Sequence, residues 1–449
     1  MNRFYPNHRH KCAGRESGDP IRLLSGTAFQ GARAGQGMDI AKCGRASLTP
    51  PSPQVRRNFY SMIKHILLSL GLVAVSAMAQ APKPTAVPRE QIQAAIDKGL
   101  SWLEKQQRAD GSFATPGNSA AATDHPGLSA LSLVAFHRDP TGKYRGKTAP
   151  LVMAKGYNFL RSKAQPDGGI YEKSLTNYNT SLSLLALLNT GEPSDEPLLT
   201  KARQFVVEQQ AKGMASESLD GGFGYGPTGT SPKRQHPDLD NTLMSLEALR
   251  AYKDARPNVE AAGGKELNWQ AAIEFVARCQ NLPASNKEAW ASSDEANKGG
   301  FIYYPGYSNA GEQELDGGKK ALRSYGTMSY AGLLSFIYAD LKQDDPRIVA
   351  ALEWLTKNYT LEENPGMKGA GLYFYYQLMS KGLAAAKVTE LSVAGGQKVA
   401  WAPQLATRIL SLQTPDGFWV NDNARWMEKD AVLVTTYCVL ALENLLNAR

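Results

Sequence analysis

Two acids, Asp238 and Asp240, stand two residues apart in the stretch from His236 to Thr242, which reads His-Pro-Asp-Leu-Asp-Asn-Thr. Carboxyls this close can share a proton, which raises one apparent pKa and keeps a neutral acid available. In a dry cavity such an acid can act as a general acid on a bound molecule. His236 and His125 each stand next to a proline, where either could hydrogen-bond the pair. Asp238, Asp240 and His236 are thus the candidate catalytic residues. A plainer reading exists beside this one. Asp is a favoured helix N-cap, Pro237 suits a chain entering a helix, and a helix N-terminus favours the ionised carboxylate, the wrong form for a proton donor. An exposed loop position equally accounts for both histidines.

The elements that must position these residues belong to a repeat. The first unit pairs IQAAIDKGLSWLEKQQ, with Ile92, Ile96, Leu100 and Leu103 at helical spacing, with a second apolar run from Gly127 to Phe136. LVMAKGYNFLRSKAQ and NYNTSLSLLALLNTG make a second unit, and LLTKARQFVVEQQ and DNTLMSLEALRAY a third. WQAAIEFVARCQN with SYGTMSYAGLLSFIYADL, a more worn IVAALEWLTKNY with GAGLYFYYQLMSKGLAAA, and WAPQLATRILSLQ with VTTYCVLALENLL complete six. In each, the first helix has a polar face and the second is apolar or small nearly all round, the mark of a helix buried on every side. The pattern predicts an all-α (α/α)6 toroid of six helical hairpins in two concentric rings, with a cavity along its axis.

The turns between paired helices are mechanical. Asp-Gly-Gly permits positive φ where the outer helix stops, and Phe113, Phe223, Phe301 or Trp419 follows to pack under the next hairpin. Gln107, Gln165, Gln210, Gln280 and Gln413 close the outer helices, placed to satisfy backbone groups at a neighbouring helix end. With the inner helices parallel, their N-termini meet at one mouth. That mouth gathers Asp124, His125, Tyr178, Arg323 and Tyr325 with the acid pair. Tyr330, Tyr373, Phe374 and Tyr437 are further candidates for lining a binding cavity. Packing alone would also account for the tyrosines, and solvation for Arg323.

The stretch from Lys98 to Phe113, KGLSWLEKQQRADGSF, resembles the repeat of squalene cyclases and related terpenoid cyclases, with Phe113 in place of the final Trp. KGYNFLRSKAQPDGGIY and LQTPDGFW resemble it too, so the likeness spans residues 90 to 446. It implies the prenyltransferase/squalene-cyclase toroid in single-domain form. The family's proton donor lies in Asp-x-Asp-Asp-Thr. This chain keeps the first two acids as Asp238 and Asp240 and has Asn241 in place of the last. The inner helix TTYCVLAL resembles the segment carrying the zinc-binding His of protein prenyltransferases, but Val434 and Thr435 stand at the candidate positions and no Asp-x-Cys occurs. A zinc prenyltransferase is disfavoured, and no metal or other cofactor is expected.

The chain's +8 charge is concentrated at its start. Residues 1–61 hold ten of the 50 basic side chains and three of the 42 acidic ones, without apolar periodicity, and read as a disordered leader upstream of the true start at Met62. Residues 62–79 show a short basic region, an apolar core from Ile66 to Val75 and Ala77-Met78-Ala79, the pattern of a signal peptide cleaved near Ala79. Export to the periplasm or medium is expected. Residues 80–449 then carry 39 basic and 39 acidic side chains, and the basic pI implies no nucleic-acid partner. Of the two remaining cysteines, Cys279 and Cys438, each reads as a buried residue rather than half of a disulfide.

Three functional readings follow. The first is an exported terpenoid-cyclase-like enzyme with an isoprenoid or other apolar molecule in its cavity, possible peripheral membrane contact, and cyclisation begun by the acid pair. The second is a non-catalytic toroid binding a lipid, peptide or glycan. The third is a glycan lyase or hydrolase, which requires Asp240, His125 and Arg323 within a few ångströms of one another.

Overall fold

The computed structural model describes residues 87–114, 125–226, 234–257 and 265–447. The leader, the signal-like segment and Asp124 lie outside the described residues. Among those described, twelve α-helices form six successive pairs: α1 (Arg89–Lys105) with α2 (Pro126–Arg138), α3 (Leu151–Ser162) with α4 (Thr176–Leu187), and α5 (Glu196–Glu208) with α6 (Leu239–Ala255). Then come α7 (Trp269–Arg278) with α8 (Gly326–Tyr338), α9 (Pro346–Lys357) with α10 (Leu372–Ala385), and α11 (Trp401–Ser411) with α12 (Ala431–Asn447). The even helices form a closed inner ring in which α2 packs on α4, α4 on α6, and so on round to α12, which returns to α2. The odd helices pack outside them, α1 against α12, α3 against α2 and α4, and α9 against α8. The protein is an all-α (α/α)6 toroid.

Burial follows the sequence periodicity. Helix α1 buries one stripe, Ile92, Ile96, Leu100 and Leu103, and leaves its polar face to solvent. Helix α12 buries every residue from Ala431 to Leu446. Each fully buried Leu or Ile contributes about 2 kcal/mol, so the inner ring holds most of the apolar stabilisation.

The glutamines fasten neighbouring hairpins together. Gln107 Nε2 donates to Val152 O at 2.8 Å, Gln210 Nε2 to Asn268 O at 2.9 Å, and Gln280 Nε2 to Arg347 O at 2.9 Å, each at the start of the next outer helix. Each also donates back to its own glycine turn, at Gly111, Gly221 and Gly299. Gln413 makes the same pair of bonds to Gly417 O and to Ala95 O of α1, which closes the sixth unit onto the first. Gln165 differs. The extra residue before it turns its amide onto Lys163 O and Tyr171 O of its own turn.

A second repeated bond sets the register of each inner helix. The backbone N–H after the glycine turn donates to a hydroxyl at the fourth or fifth residue of that helix: Phe113 to Ser129, Ile170 to Thr180, Phe223 to Thr242, Phe301 to Ser329 and Trp419 to Thr435, at 2.9–3.1 Å. Thr242 of the acidic stretch therefore has a structural role shared around the ring.

Two small antiparallel hairpins were not foreseen. Glu312–Glu314 (β1) pairs with Lys320–Leu322 (β2), and Leu391–Ser392 (β3) with Lys398–Val399 (β4). Strands of two or three residues are too short to show an alternating pattern. Cys279 and Cys438 are both buried and free. No helix among the described residues is long and apolar enough to cross a membrane.

Candidate active site

The repeated hydroxyl bond provides a common frame for the inner-helix N-termini. Two residues before that hydroxyl stands Gly127 in α2, which is outside the lining, and at the other four places Tyr178 in α4, Asp240 in α6, Thr327 in α8 and Leu433 in α12. All four line one cavity of about 370 Å³ on the toroid axis, within the size range of small-molecule sites. Asp238, four residues before its hydroxyl, precedes the helix as its N-cap in extended backbone, φ −144° and ψ 166°, and is not part of that lining. One acid therefore lines the cavity and the other caps the helix.

Asp238 is fully buried and caps α6. Its Oδ1 accepts the Asn241 backbone N–H at 2.9 Å, and its Oδ2 accepts Asn241 Nδ2–H at 2.8 Å. Its own N–H donates to Phe223 O at 2.9 Å. The cap expected from sequence is present, and Asn241 supplies a second donor where another acid would have placed a repelling charge.

Asp240 is held differently. It opens partly onto the cavity, while its Oδ1 is sealed from solvent and has no hydrogen-bond partner. Burial pushes its carboxyl up to about 7, and the neighbouring Asp238 charge pushes the same way. Burial also pushes Asp238 up to about 7, against hydrogen bonds from Asn241 and Tyr303 that favour its ionised form. Asp238 has donors for its charge, whereas Asp240 has an orphaned oxygen, so the pair's proton belongs on Asp240.

This arrangement has a signature in stability. Both folded pKa values lie above the unfolded value, so the folded chain binds more protons than the unfolded chain between about pH 4 and 7. The contribution is fully present below pH 4 and is lost as pH rises through 7. Paired carboxylates such as Asp195 and Asp345, whose pKa values are lowered, act in the opposite direction, so the informative quantity is a difference. Asp240→Asn is expected to gain stability relative to wild type between pH 5 and pH 8, on the order of a few kcal/mol, in denaturant titrations at the two pH values.

The remaining expected residues divide. His125, Tyr178, Tyr325, Phe374 and Tyr437 line the cavity with Asp240. The Phe374 and Tyr437 rings lie 5.1 Å apart, and Asn309 Nδ2 donates to the Tyr325 hydroxyl at 3.3 Å. Four others are placed elsewhere. His236 is outside the lining and packs against Tyr304 with ring centres 4.0 Å apart and planes tilted by 39°, with its Nδ1 3.1 Å from Pro237 O. Arg323 is exposed on the β2 hairpin and donates to Glu312 O. Tyr330 is wholly buried against Tyr375, and Tyr373 packs on Tyr376. Tyr330 and Tyr373 fill the seams between helices, a distinction that an all-apolar helix pattern does not display.

Several lining residues were missed. Tyr225 and Tyr303 follow two residues after the turn aromatics Phe223 and Phe301, and the spacing from that aromatic could have found them. Tyr178 and Tyr225 contact each other at 6.2 Å. Burial raises the pKa values of Tyr178, Tyr225, Tyr303, Tyr325 and Tyr437, so these phenols stay neutral. Arg234, Trp426 and Glu428 come from connecting segments that carry no periodicity. Among the described residues, no group of three or more His, Cys, Asp or Glu side chains could hold a metal ion.

No family model and no curated protein matches the sequence. Among solved structures, the chain is similar to the type II terpene cyclase MstE from Scytonema, at 13% identity and a TM-score of 0.47 over 80% of this chain and 100% of that one. It is also similar to a possible member of the GH105 family from Salmonella enterica, at 13% identity and 0.49 over 83% and 99%. A third is an inactive variant of the alpha-1,6-mannanase GH76A of Salegentibacter sp. HEL1_6, at 10% identity and 0.48 over 80% and 100%. Likenesses this distant say nothing about chemistry.

Proposed function

We propose that the axial cavity takes an isoprenoid-like apolar molecule and that Asp240 protonates it to begin a cyclisation. The observation that carries this reading is the Asp240 carboxyl. It opens on an aromatic cavity with one oxygen sealed and unpartnered, and its pKa is pushed up to about 7. A donor of this kind needs to be neutral, directed at the substrate and shielded from competing water, and burial beside Asp238 supplies the first. Tyr178, Tyr225, Tyr303, Phe374 and Tyr437 supply ring faces for a cation. The lining is apolar apart from a few polar groups, as expected of a site that binds hydrocarbon.

The glycan reading loses its expected arginine, because Arg323 lies on the hairpin and away from the cavity that holds Asp240 and His125, where Arg234 is the lining arginine instead. The binding-only reading draws on the Asp238 cap, which needs no chemistry to explain it. Extraction of purified wild type and Asp240→Asn, followed by mass spectrometry, separates these readings. An acyclic isoprenoid enriched in the variant, with its cyclised isomer in wild type, is the expected result. The same molecule in both proteins would leave a binding protein, and a glycan in either would overturn the proposal.

A further inference from the structure

A second carboxyl, Glu428, lines the same cavity. It sits on the segment before α12, directly after two consecutive non-glycine residues in the left-handed region, Trp426 at φ 56° and Met427 at φ 64°. Such backbone costs on the order of 1 kcal/mol or more per residue and persists only where its surroundings hold it. Here Glu428 is the anchor. Its Oε1 accepts the Phe374 N–H at the start of α10 at 2.8 Å, its Oε2 accepts Asn421 Nδ2–H at 2.5 Å, and its carbonyl accepts the Asn421 N–H at 2.9 Å. The strained turn thus fixes a buried carboxylate in the lining that also holds Phe374 and Trp426.

Asp240 and Glu428 are set up in opposite senses. Asp240 has an oxygen with no donor, which suits a proton donor. Glu428 has a donor on each oxygen and lies at a helix N-terminus, which suits an ionised acceptor. Burial nevertheless raises the Glu428 pKa above the ordinary glutamate value and makes it more basic than a surface carboxylate. The tyrosines around the cavity stay neutral and offer no phenolate in its place.

We infer that Glu428 is the base that ends the reaction Asp240 begins, by taking a proton from the carbon next to the final cation. This inference rests on the proposed reading of the cavity. The terminal C=C pair of the substrate takes the Asp240 proton and leaves the Asp240 carboxylate and a carbocation. Further C=C pairs attack in turn, and each makes a ring C–C bond. Glu428 then removes a C–H proton, and the C–H pair becomes the product double bond. The product is an isomer of the substrate, with no water added. After release, Glu428 gives its proton to solvent and Asp240 takes one back.

The test uses the full-length protein with squalene and with a C20 polyene alcohol as probes, reading substrate consumption and product mass together. Wild type is expected to yield a cyclic alkene of unchanged mass. Glu428→Gln, which keeps an acceptor for the Phe374 N–H, is expected to consume substrate within about tenfold of wild type. Its alkene share should fall at least tenfold, in favour of water-quenched products 18 mass units heavier. Glu428→Asp should restore part of the alkene share, and it is also the variant to read if Glu428→Gln fails to fold. A purely structural Glu428 would change melting temperature and rate without changing product identity. Unchanged product from either folded variant overturns the inference, as does a switch that follows His125→Gln instead. If wild type consumes neither probe, the reading of the cavity falls and this inference falls with it.

Discussion

Asp240→Asn is expected to lower product formation by about 10³-fold, or roughly 4 kcal/mol in barrier, while leaving affinity for an unreactive substrate analogue within a few-fold of wild type. Asn fills the same space and keeps the aromatic lining intact, but it has no proton to give. The same substitution should stabilise the protein above pH 7, because wild type must then hold a charge at a sealed oxygen without a donor. Loss of activity with gain of stability marks a group kept for chemistry. Asp238→Asn should lower activity indirectly, since it leaves the proton donor in place. It keeps a residue type that caps α6 but replaces the Oδ2 acceptor of Asn241 Nδ2–H, at a cost of about 1 kcal/mol, and removes the charge that helps keep Asp240 protonated. Steady-state rates and denaturant titrations at pH 6 and pH 8 on the two variants would show whether the acids divide in this way.

The toroid was legible because its signals are local and repeated. Helical stripes such as Ile92, Ile96, Leu100 and Leu103, and glutamines at the ends of outer helices, each report one physical requirement several times over. The acidic stretch was legible as a place where chemistry and capping compete. The division between them, Asp238 to the cap and Asp240 to the cavity, needed the register set by the Thr242 hydroxyl bond. Where the sequence reading misplaced residues on the inner helices, the cause was angular. Tyr330 and Tyr373 lie on helices buried all round, where no polar face marks which stripe meets the axis and which meets a neighbour. Glu428 and Arg234 were illegible for a different reason. They enter the cavity from connecting segments, whose positions depend on the closed ring and on no property of neighbouring residues.

The ring itself makes the last prediction. Gly221 ends its turn at φ 92°, and a Cβ there would overlap the carbonyl oxygen of Ala271 in the next outer helix. The glycines at 111 and 299 meet Lys155 O and Ala350 O in the same way, and Gly417 meets Lys98 O across the closure, where an added Cβ would stand at 2.9 Å. Close approach of turn to helix is what lets Gln210 donate to both Gly221 O and Asn268 O. Gly221→Ala must therefore either shift α7 outward or abandon both glutamine bonds, in addition to straining the turn. A loss of about 3 kcal/mol or more is expected, the sum of backbone strain, overlap and two weakened hydrogen bonds. Gly213 is the control. It also has positive φ, 65°, but an added Cβ would meet nothing within 4 Å, so Gly213→Ala carries the strain without the overlap and should cost about 1 kcal/mol. Thermal and denaturant unfolding of the two variants side by side would measure the difference. Equal losses would mean that the glycine serves the turn alone and that hairpin-to-hairpin contact does not hold the ring closed.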